Sequence, residues 1–433
     1  MARPSFVFSR RIRLHSIRTQ RQLVFLLGGI AVGASAVAMA LLADEAQAAF
    51  HSLILRWRYV PLVITPLGLG LIAYVTRRLF PNSQGSGIPQ AIAARQLTDA
   101  DARGKLVSIR VAIGKIVLTL FGLLCGASIG REGPTVQVGA SIMFAIGRLS
   151  PRRQPGLILA GASAGVAAAF NTPLAGIVFG IEEMSRAFEA RTSMLLIGGI
   201  IAAGLTSLAL FGDYTYFGTT SVRLGPLGWL AVPVCGVVGG LVGGLFSRIL
   251  IEFGRGLPGA AGRVIKHHPV VFAMLCGVGV ALCGLASGDT IYGTGYAQVK
   301  PLLDHGASLP HSFGLLKLVA TALAAISGIP GGIFSPSLAV GAGIGSNLSV
   351  LFPGTPVAAL VLLGMVSYFS GVVQAPITAF VIVTEMTNDH AMVVPVMAAA
   401  FIGRAASRLV CREGVYHALS RRFVTEATPA VAT

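Results

Sequence analysis

Gly130-Arg131-Glu132-Gly133-Pro134 leads into Thr135-Val136-Gln137-Val138-Gly139-Ala140-Ser141-Ile142, and 202 residues further on Gly332-Ile333-Phe334-Ser335-Pro336 leads into Ser337-Leu338-Ala339-Val340-Gly341-Ala342-Gly343-Ile344. The prolines coincide, as do Val138 and Val340, Gly139 and Gly341, Ala140 and Ala342, and the final isoleucines. A second block repeats at an offset of 203, where Gly161, Pro173 and Glu182 fall on Gly364, Pro376 and Glu385. Chance can produce one such block in a chain rich in glycine and alanine. Two blocks in the same order at nearly the same offset indicate a duplicated unit. The matches alone do not say whether the two halves are inverted.

The chain around these blocks belongs in a membrane. Of 433 residues 54% are hydrophobic and only 11% charged, with a mean hydropathy of +0.78; an ordinary soluble domain carries about 25% charged residues. Apolar runs recur over 23–43, 59–76, 194–211, 227–246, 270–285 and 357–383, several near the length of about 20 residues that spans a hydrocarbon core. Small residues crowd their interiors, as in Gly236-Val-Val-Gly-Gly-Leu-Val-Gly-Gly244, and close helix contact in lipid depends on such residues. A dinucleotide loop is the rival reading of that glycine run, but no alternating strand and helix pattern surrounds it.

The net charge of +17 is concentrated at the ends, with six arginines in the first 21 residues and Arg404, Arg408, Arg412, Arg421 and Arg422 near the other terminus. By the positive-inside rule this predicts cytoplasmic termini. Nucleic acid is not an expected partner, because these charges flank apolar spans rather than line a soluble face. The basic leader, the run from Leu23 and the triplet Ala46-Gln47-Ala48 imitate a cleavable secretory signal, yet the run exceeds the roughly 7 to 15 residues of a signal core. It is therefore expected to stay as a first membrane helix. Five scattered cysteines and eight histidines show no metal-ligand spacing, so no metal or cofactor is expected.

Three clusters interrupt the apolar surroundings: Gly85-Ser86-Gly87-Ile88-Pro89, Gly130 to Pro134, and Gly332 to Pro336. Proline suits the first turn of a helix, where its missing N–H is not needed. The unpaired N–H groups of such a helix start, together with the helix dipole, bind anions. The blander alternative is three loops or kinks. Glu132 stands inside one cluster, and an intramembrane ionisable residue is a functional candidate by default. As a carboxylate it can occupy the N–H donors that hold an anion; as a neutral acid it leaves them, which couples protonation to anion occupancy. An exposed glutamate paired with Arg131 is the alternative. Glu182 and Glu183 close an apolar run and read either as a proton-receiving site or as an interfacial pair. Lys115 and Arg110 are cations that can assist an anion or pair with a carboxylate. No HExxH, Walker loop or GxSxG motif is present, and Ser86 lacks an identifiable base, so an enzyme is not expected.

Together these motifs resemble the CLC family of chloride channels and chloride/proton antiporters, over nearly the whole chain. The family shows GSGIP, GREGP, GxFxP and a late tyrosine in this order, matched here by 85–89, 130–134, 332–336 and Tyr416. The resemblance implies an all-α polytopic membrane protein of two inverted-topology repeats of tilted, broken helices, assembled as a homodimer with a pathway in each subunit. It implies a chloride held by the hydroxyls of Ser86 and Tyr416 and by the backbone N–H groups of Ile333 and Phe334, with the backbone of Arg131 and Gly133 at an outer anion site. Glu132 would be the external gate, and Glu183, the second acid of the IEEM segment, the internal proton-transfer glutamate that exchangers generally keep. Gln90, in place of a frequent acid, and the residues before Tyr416 depart from the common pattern.

The organisation expected is a basic cytoplasmic segment over 1–22 and a membrane domain over 23–422. Within it lie repeats over about 23–215 and 225–410 and a helix with Tyr416 over about 412–422; a disordered tail follows at 423–433. The function expected is exchange of chloride for protons across a bacterial inner membrane. A passive voltage- or proton-gated chloride channel is the alternative.

Overall fold

The computed structural model describes residues 5–148, 153–185, 190–212, 215–306 and 308–427. The first half consists of α1 (Ser5–Arg56), α2 (Pro61–Leu79), α3 (Ile88–Gln96), α4 (Ala100–Leu106), α5 (Ile109–Leu124), α6 (Glu132–Gly147), α7 (Gln154–Phe170), α8 (Pro173–Phe179) and α9 (Ala190–Phe211). The second half follows with α10 (Ala231–Arg255), α11 (Gly259–His267), α12 (Pro269–Ala286), α13 (Tyr296–His305) and α14 (Phe313–Ile326). It continues with α15 (Phe334–Leu348), α16 (Val357–Val373), α17 (Pro376–Thr387) and α18 (Val393–Val410), and α19 (Val415–Ala427) closes the described chain. Six helical stretches among the described residues are long and apolar enough to cross a membrane. Leu27, Leu41, Leu71, Leu205, Leu245 and Leu275 stand outward, as lipid-facing side chains do.

The duplication is visible in the packing. In the first half α6 packs on α7, α7 on α9 and α5 on α6; in the second, α15 packs on α16, α16 on α18 and α14 on α15. The repeated glycines explain why these helices come so close. A Cβ on Gly139 would overlap the Gly161 carbonyl, and a Cβ on Gly341 would lie 2.5 Å from the Gly364 carbonyl. Lipid tails offer no hydrophobic drive for helix association, so such close approach supplies the contact energy.

Helix breaks also recur. α7 ends at Asn171 (φ 55°) and α16 at Gln374 (φ 61°), both in the left-handed region, and Pro173 and Pro376 open the next helix in each half. A left-handed residue stops the helix, and the proline cannot continue it but fits a first turn. The apolar run at 357–383 is therefore two short helices rather than one span, because it contains this break.

The carboxylates matched in the sequence close the arrangement reciprocally. Glu182 accepts from the N–H groups of Ile377 (3.2 Å) and Thr378 (2.7 Å) at the start of α17. Glu385 accepts from Leu174 (3.1 Å) and Ala175 (2.7 Å) at the start of α8. Each half caps the equivalent helix of the other, as a pseudo-two-fold relation requires.

At its first end the chain runs as one helix from Ser5 through Arg56, past Ala48. Gln47 on this helix accepts from the Thr294 N–H (2.9 Å) and hydroxyl (3.2 Å). At the other end α19 continues to Ala427, beyond 422, and the rest of the tail, 428–433, lies outside the described residues, as do residues 1–4.

Candidate functional site

The two halves meet at Gly130 and Gly332, repeat-equivalent residues that exchange a pair of backbone hydrogen bonds, each 2.7 Å. The residues after them begin α6 and α15, so two helix N-termini converge here. A Cβ on Gly332 would lie 3.0 Å from the Gly133 nitrogen, and one on Gly133 would lie 3.0 Å from the Ser86 carbonyl oxygen and Cβ. Glycine at both positions lets the backbones abut. Gly85 donates to Ile329 and accepts from Gly331, both at 3.0 Å, which ties the start of α3 to the same place. Three of the helix starts expected from sequence thus share one locality, with the first N–H groups of each lacking intrahelical acceptors.

Glu132 lies at this junction and is fully buried. Its Oε1 accepts from the Ser335 hydroxyl at 2.6 Å and from the Tyr216 hydroxyl at 3.5 Å, while Oε2 takes no hydrogen bond among the described residues. Arg131 turns away to Asp44 and to the Ala40 carbonyl, both at 2.6 Å. The alternative of an exposed glutamate paired with Arg131 does not describe this arrangement. The buried carboxylate is held by hydroxyls at the junction of helix N-termini, whose dipoles stabilise it, while the Arg131 guanidinium beside it is engaged directly by Asp44.

Ser86 is nearly buried, and its Oγ accepts from the Ile88 N–H at 3.3 Å. Tyr416 is brought in by α19, which packs on α3. Its ring stacks on Phe334 with centroids 5.8 Å apart, and its buried hydroxyl has no hydrogen-bond partner among the described residues. The charges of Glu183 and Glu132 both reach it. Phe170, Phe179 and Phe369 surround Phe334 at centroid distances of 5.9, 6.0 and 4.8 Å, which walls the junction with apolar rings.

The paired acids Glu182 and Glu183 separate into different environments. Glu182 is the helix cap described above. Glu183 is buried within the π-helical turn Gly180–Ser185 that extends α8; such turns occur frequently at functional sites.

The open question about the cations is answered by geometry. Lys115 is buried and donates to the Gly85 (2.8 Å) and Gln84 (3.3 Å) carbonyls, pairing with backbone rather than with a carboxylate. Arg110 donates to the Leu79 carbonyl at the end of α2. Gln90 holds the same pre-Ser86 loop through the Gln84 (2.7 Å) and Asn82 (3.3 Å) carbonyls. Lys317, 202 residues after Lys115, repeats its role on the Ile291 (2.8 Å) and Gly293 (2.7 Å) carbonyls. Gly293-Thr294-Gly295 is in turn the second-half counterpart of Gly85-Ser86-Gly87: its outer glycines have φ of 66° and 86°, against 64° and 93°. Sequence reading overlooked Lys317, this counterpart, Ser335 and Tyr216. Ser335 stood inside a recognised motif; Tyr216, in the connection between halves, carried no local signal.

A bundle of broken helices in which two duplicated halves set their helix N-termini around a buried carboxylate defines the class: an integral membrane protein with an anion-binding type of core. The chain belongs to the voltage gated chloride channel family, whose model matches residues 68–408. Relatives include an H(+)/Cl(-) exchange transporter ClcA of Yersinia pestis bv. Antiqua, 28% identical over 385 residues that cover 83% of this chain and 77% of the relative. The ClcA of Cronobacter sakazakii is 29% identical over 352 residues, 76% of this chain and 72% of that one. Among solved structures, a slow cyanobacterial Cl-/H+ antiporter superposes with a TM-score of 0.79 at 24% identity, covering 94% of this chain and 98% of its own. A CLC-type fluoride/proton antiporter superposes with a TM-score of 0.78 at 23% identity, covering 92% and 97%. At these identities the superpositions speak for the fold.

Proposed function

We propose that this protein exchanges chloride for protons across a bacterial inner membrane, as a homodimer with one pathway in each subunit and both termini in the cytoplasm. The observation that carries this reading is Glu132, a buried acid at the start of α6, where as a carboxylate it would compete for the N–H donors an anion would use. Chloride is held by the Ser86 and Tyr416 hydroxyls and by the N–H groups of Ile333 and Phe334. A second anion position, at the N–H groups of Arg131 and Gly133, is taken by the Glu132 carboxylate when it is charged. The unpartnered, buried Tyr416 hydroxyl supports the first assignment, since a buried donor without a partner costs about 1–3 kcal/mol. Protonation of Glu132 removes its charge from the helix starts and admits the anion; Glu183 takes the proton on the other side of Tyr416. The family and its ClcA relatives support exchange.

The test is reconstitution in liposomes with a chloride gradient and no proton gradient. Exchange is expected to drive protons uphill. Chloride flux without proton movement would favour a passive channel instead. In the Glu132→Ala variant chloride flux persists while uphill proton movement disappears; a variant that still pumps protons would remove Glu132 from the gate.

A further inference from the structure

None of the nine residues of α11, Gly259-Ala-Ala-Gly-Arg-Val-Ile-Lys-His267, is buried, and Val264 is 59% exposed. The helix lies between α10 and α12, both long and apolar enough to cross a membrane. A helix shorter than about 12 residues is marginal in water on its own, so α11 needs a surface that the packed body does not supply. Its sequence says which kind. At about 100° per residue, Ala261, Val264 and Ile265 share one face and Arg263, Lys266 and His267 the other. A helix of this pattern lies in the membrane interface, with its apolar face towards acyl chains and its basic face among headgroups.

The surroundings of α11 are basic as well. No acid occurs between Glu252 and Asp289. Phe253 at the end of α10 stacks on Phe272 at the start of α12, with centroids 6.2 Å apart. α2 packs along α12 and carries Arg77 and Arg78 in its last turn. Arg77 lies within electrostatic range of Arg422 on α19, and Arg422 donates to the Gly254 carbonyl at 3.1 Å, five residues before α11. Glu413 and Glu426 are already engaged, the first by Arg421 (2.9 Å) and Arg255 (3.6 Å), the second by Arg422 (2.7 Å). Arg77, Arg78, Arg263 and Lys266 form no ion pair among the described residues.

We propose that α11 is a membrane-surface helix and that Arg263 and Lys266, with Arg77 and Arg78, bind the phosphate groups of acidic phospholipid in the leaflet on the α19 side. The charges are complementary, and the apolar face of α11 places the basic one at headgroup depth. Lipid held there also bears on transport. Arg422 ties α19 to the elbow that leads into α11, and a Cβ on Gly254 in that elbow would strike the Leu419 side chain of α19. A steadied elbow steadies α19, and with it Tyr416. This link to transport rests on the reading of Tyr416 as a chloride ligand; the binding of lipid does not.

The test measures lipid retained by the full-length protein, by native mass spectrometry in detergent with phosphatidylglycerol or phosphatidylcholine added. The parent is compared with Arg263→Gln/Lys266→Gln and with Arg77→Gln/Arg78→Gln. The parent is expected to retain phosphatidylglycerol in preference. Each glutamine pair is expected to weaken that binding about tenfold or more, because one basic residue near an anionic surface contributes roughly fivefold. Arg263→Lys/Lys266→Arg keeps the charges and is expected to bind as the parent does, which separates lost charge from lost fold. Equal retention of the two lipids by the parent, or parental binding in both glutamine variants, would overturn the site. Displacement of the lipid by inorganic phosphate would mark a site for a soluble anion and overturn the assignment to lipid. Chloride efflux from liposomes then reads the link to α19: the parent is expected to run several-fold faster when phosphatidylglycerol replaces part of the phosphatidylcholine, and the glutamine variants to lose that gain. Efflux by the parent that ignores the lipid, while the lipid still binds, would overturn the link.

Discussion

Glu132 derives its character from two hydroxyls that lie far from it in sequence. The 2.6 Å bond from Ser335 is in the range of a charge-assisted hydrogen bond, worth about 1.5–3 kcal/mol, whereas the 3.5 Å contact from Tyr216 is at the limit of hydrogen bonding. Under the proposed competition between carboxylate and anion, Ser335→Ala weakens the carboxylate's hold. Chloride affinity, measured by titration calorimetry, is then expected to rise about tenfold or more, tenfold being about 1.4 kcal/mol. Tyr216→Phe is expected to change it far less. Equal affinities in parent and Ser335→Ala would detach that hydroxyl from the gate. At this scale the sequence disclosed the acid but not its partners. A buried carboxylate inside a glycine motif is legible because its cost demands a reason. Its hydrogen bonds come from the other half and from the connection between the halves, and nothing local encodes them.

At the scale of elements, the repeat was legible wherever its physics is intolerant. Gly139, Gly161, Gly341 and Gly364 recur because a Cβ would strike a facing carbonyl, and Glu182 and Glu385 recur because each satisfies the N–H groups of a helix start in the other half. Removing either acid leaves orphan donors, and N-cap losses cost about 0.5–2 kcal/mol. Glu182→Ala and Glu385→Ala are therefore expected to lower the thermal midpoint in detergent to a similar extent. A parental melt for one of them would show that the reciprocity is not shared in energy. The counterpart of Gly85-Ser86-Gly87 escaped notice for a simple reason: Gly293 follows Gly85 by 208 residues, not by 202 or 203. An insertion between the blocks changed the offset, and Thr294 in place of Ser86 and Tyr296 in place of Ile88 erased the motif while leaving the backbone conformation.

For the whole molecule, α1 is packed into the folded body. Its Asp44 neutralises Arg131, which is buried next to Glu132, and its Gln47 anchors the Thr294 loop. Cleavage after Ala48 would remove both, so protein purified from the membrane is expected to retain this helix, and intact-mass measurement checks it. A mass lacking the residues up to Ala48 would restore the signal-peptide reading. The bridge between Gly130 and Gly332 lies where the pseudo-two-fold axis passes, so each neighbour faces its own counterpart there: Glu132 is matched by Phe334, and Gly133 by Ser335. Two identical halves would have brought two acids together across that axis, and like charges so close cannot both ionise. A single buried acid thus required the copies to diverge at their point of contact, one keeping the acid and the other supplying an aromatic ring and a hydroxyl. The duplicated halves thus meet as unlike parts at two adjacent repeat positions.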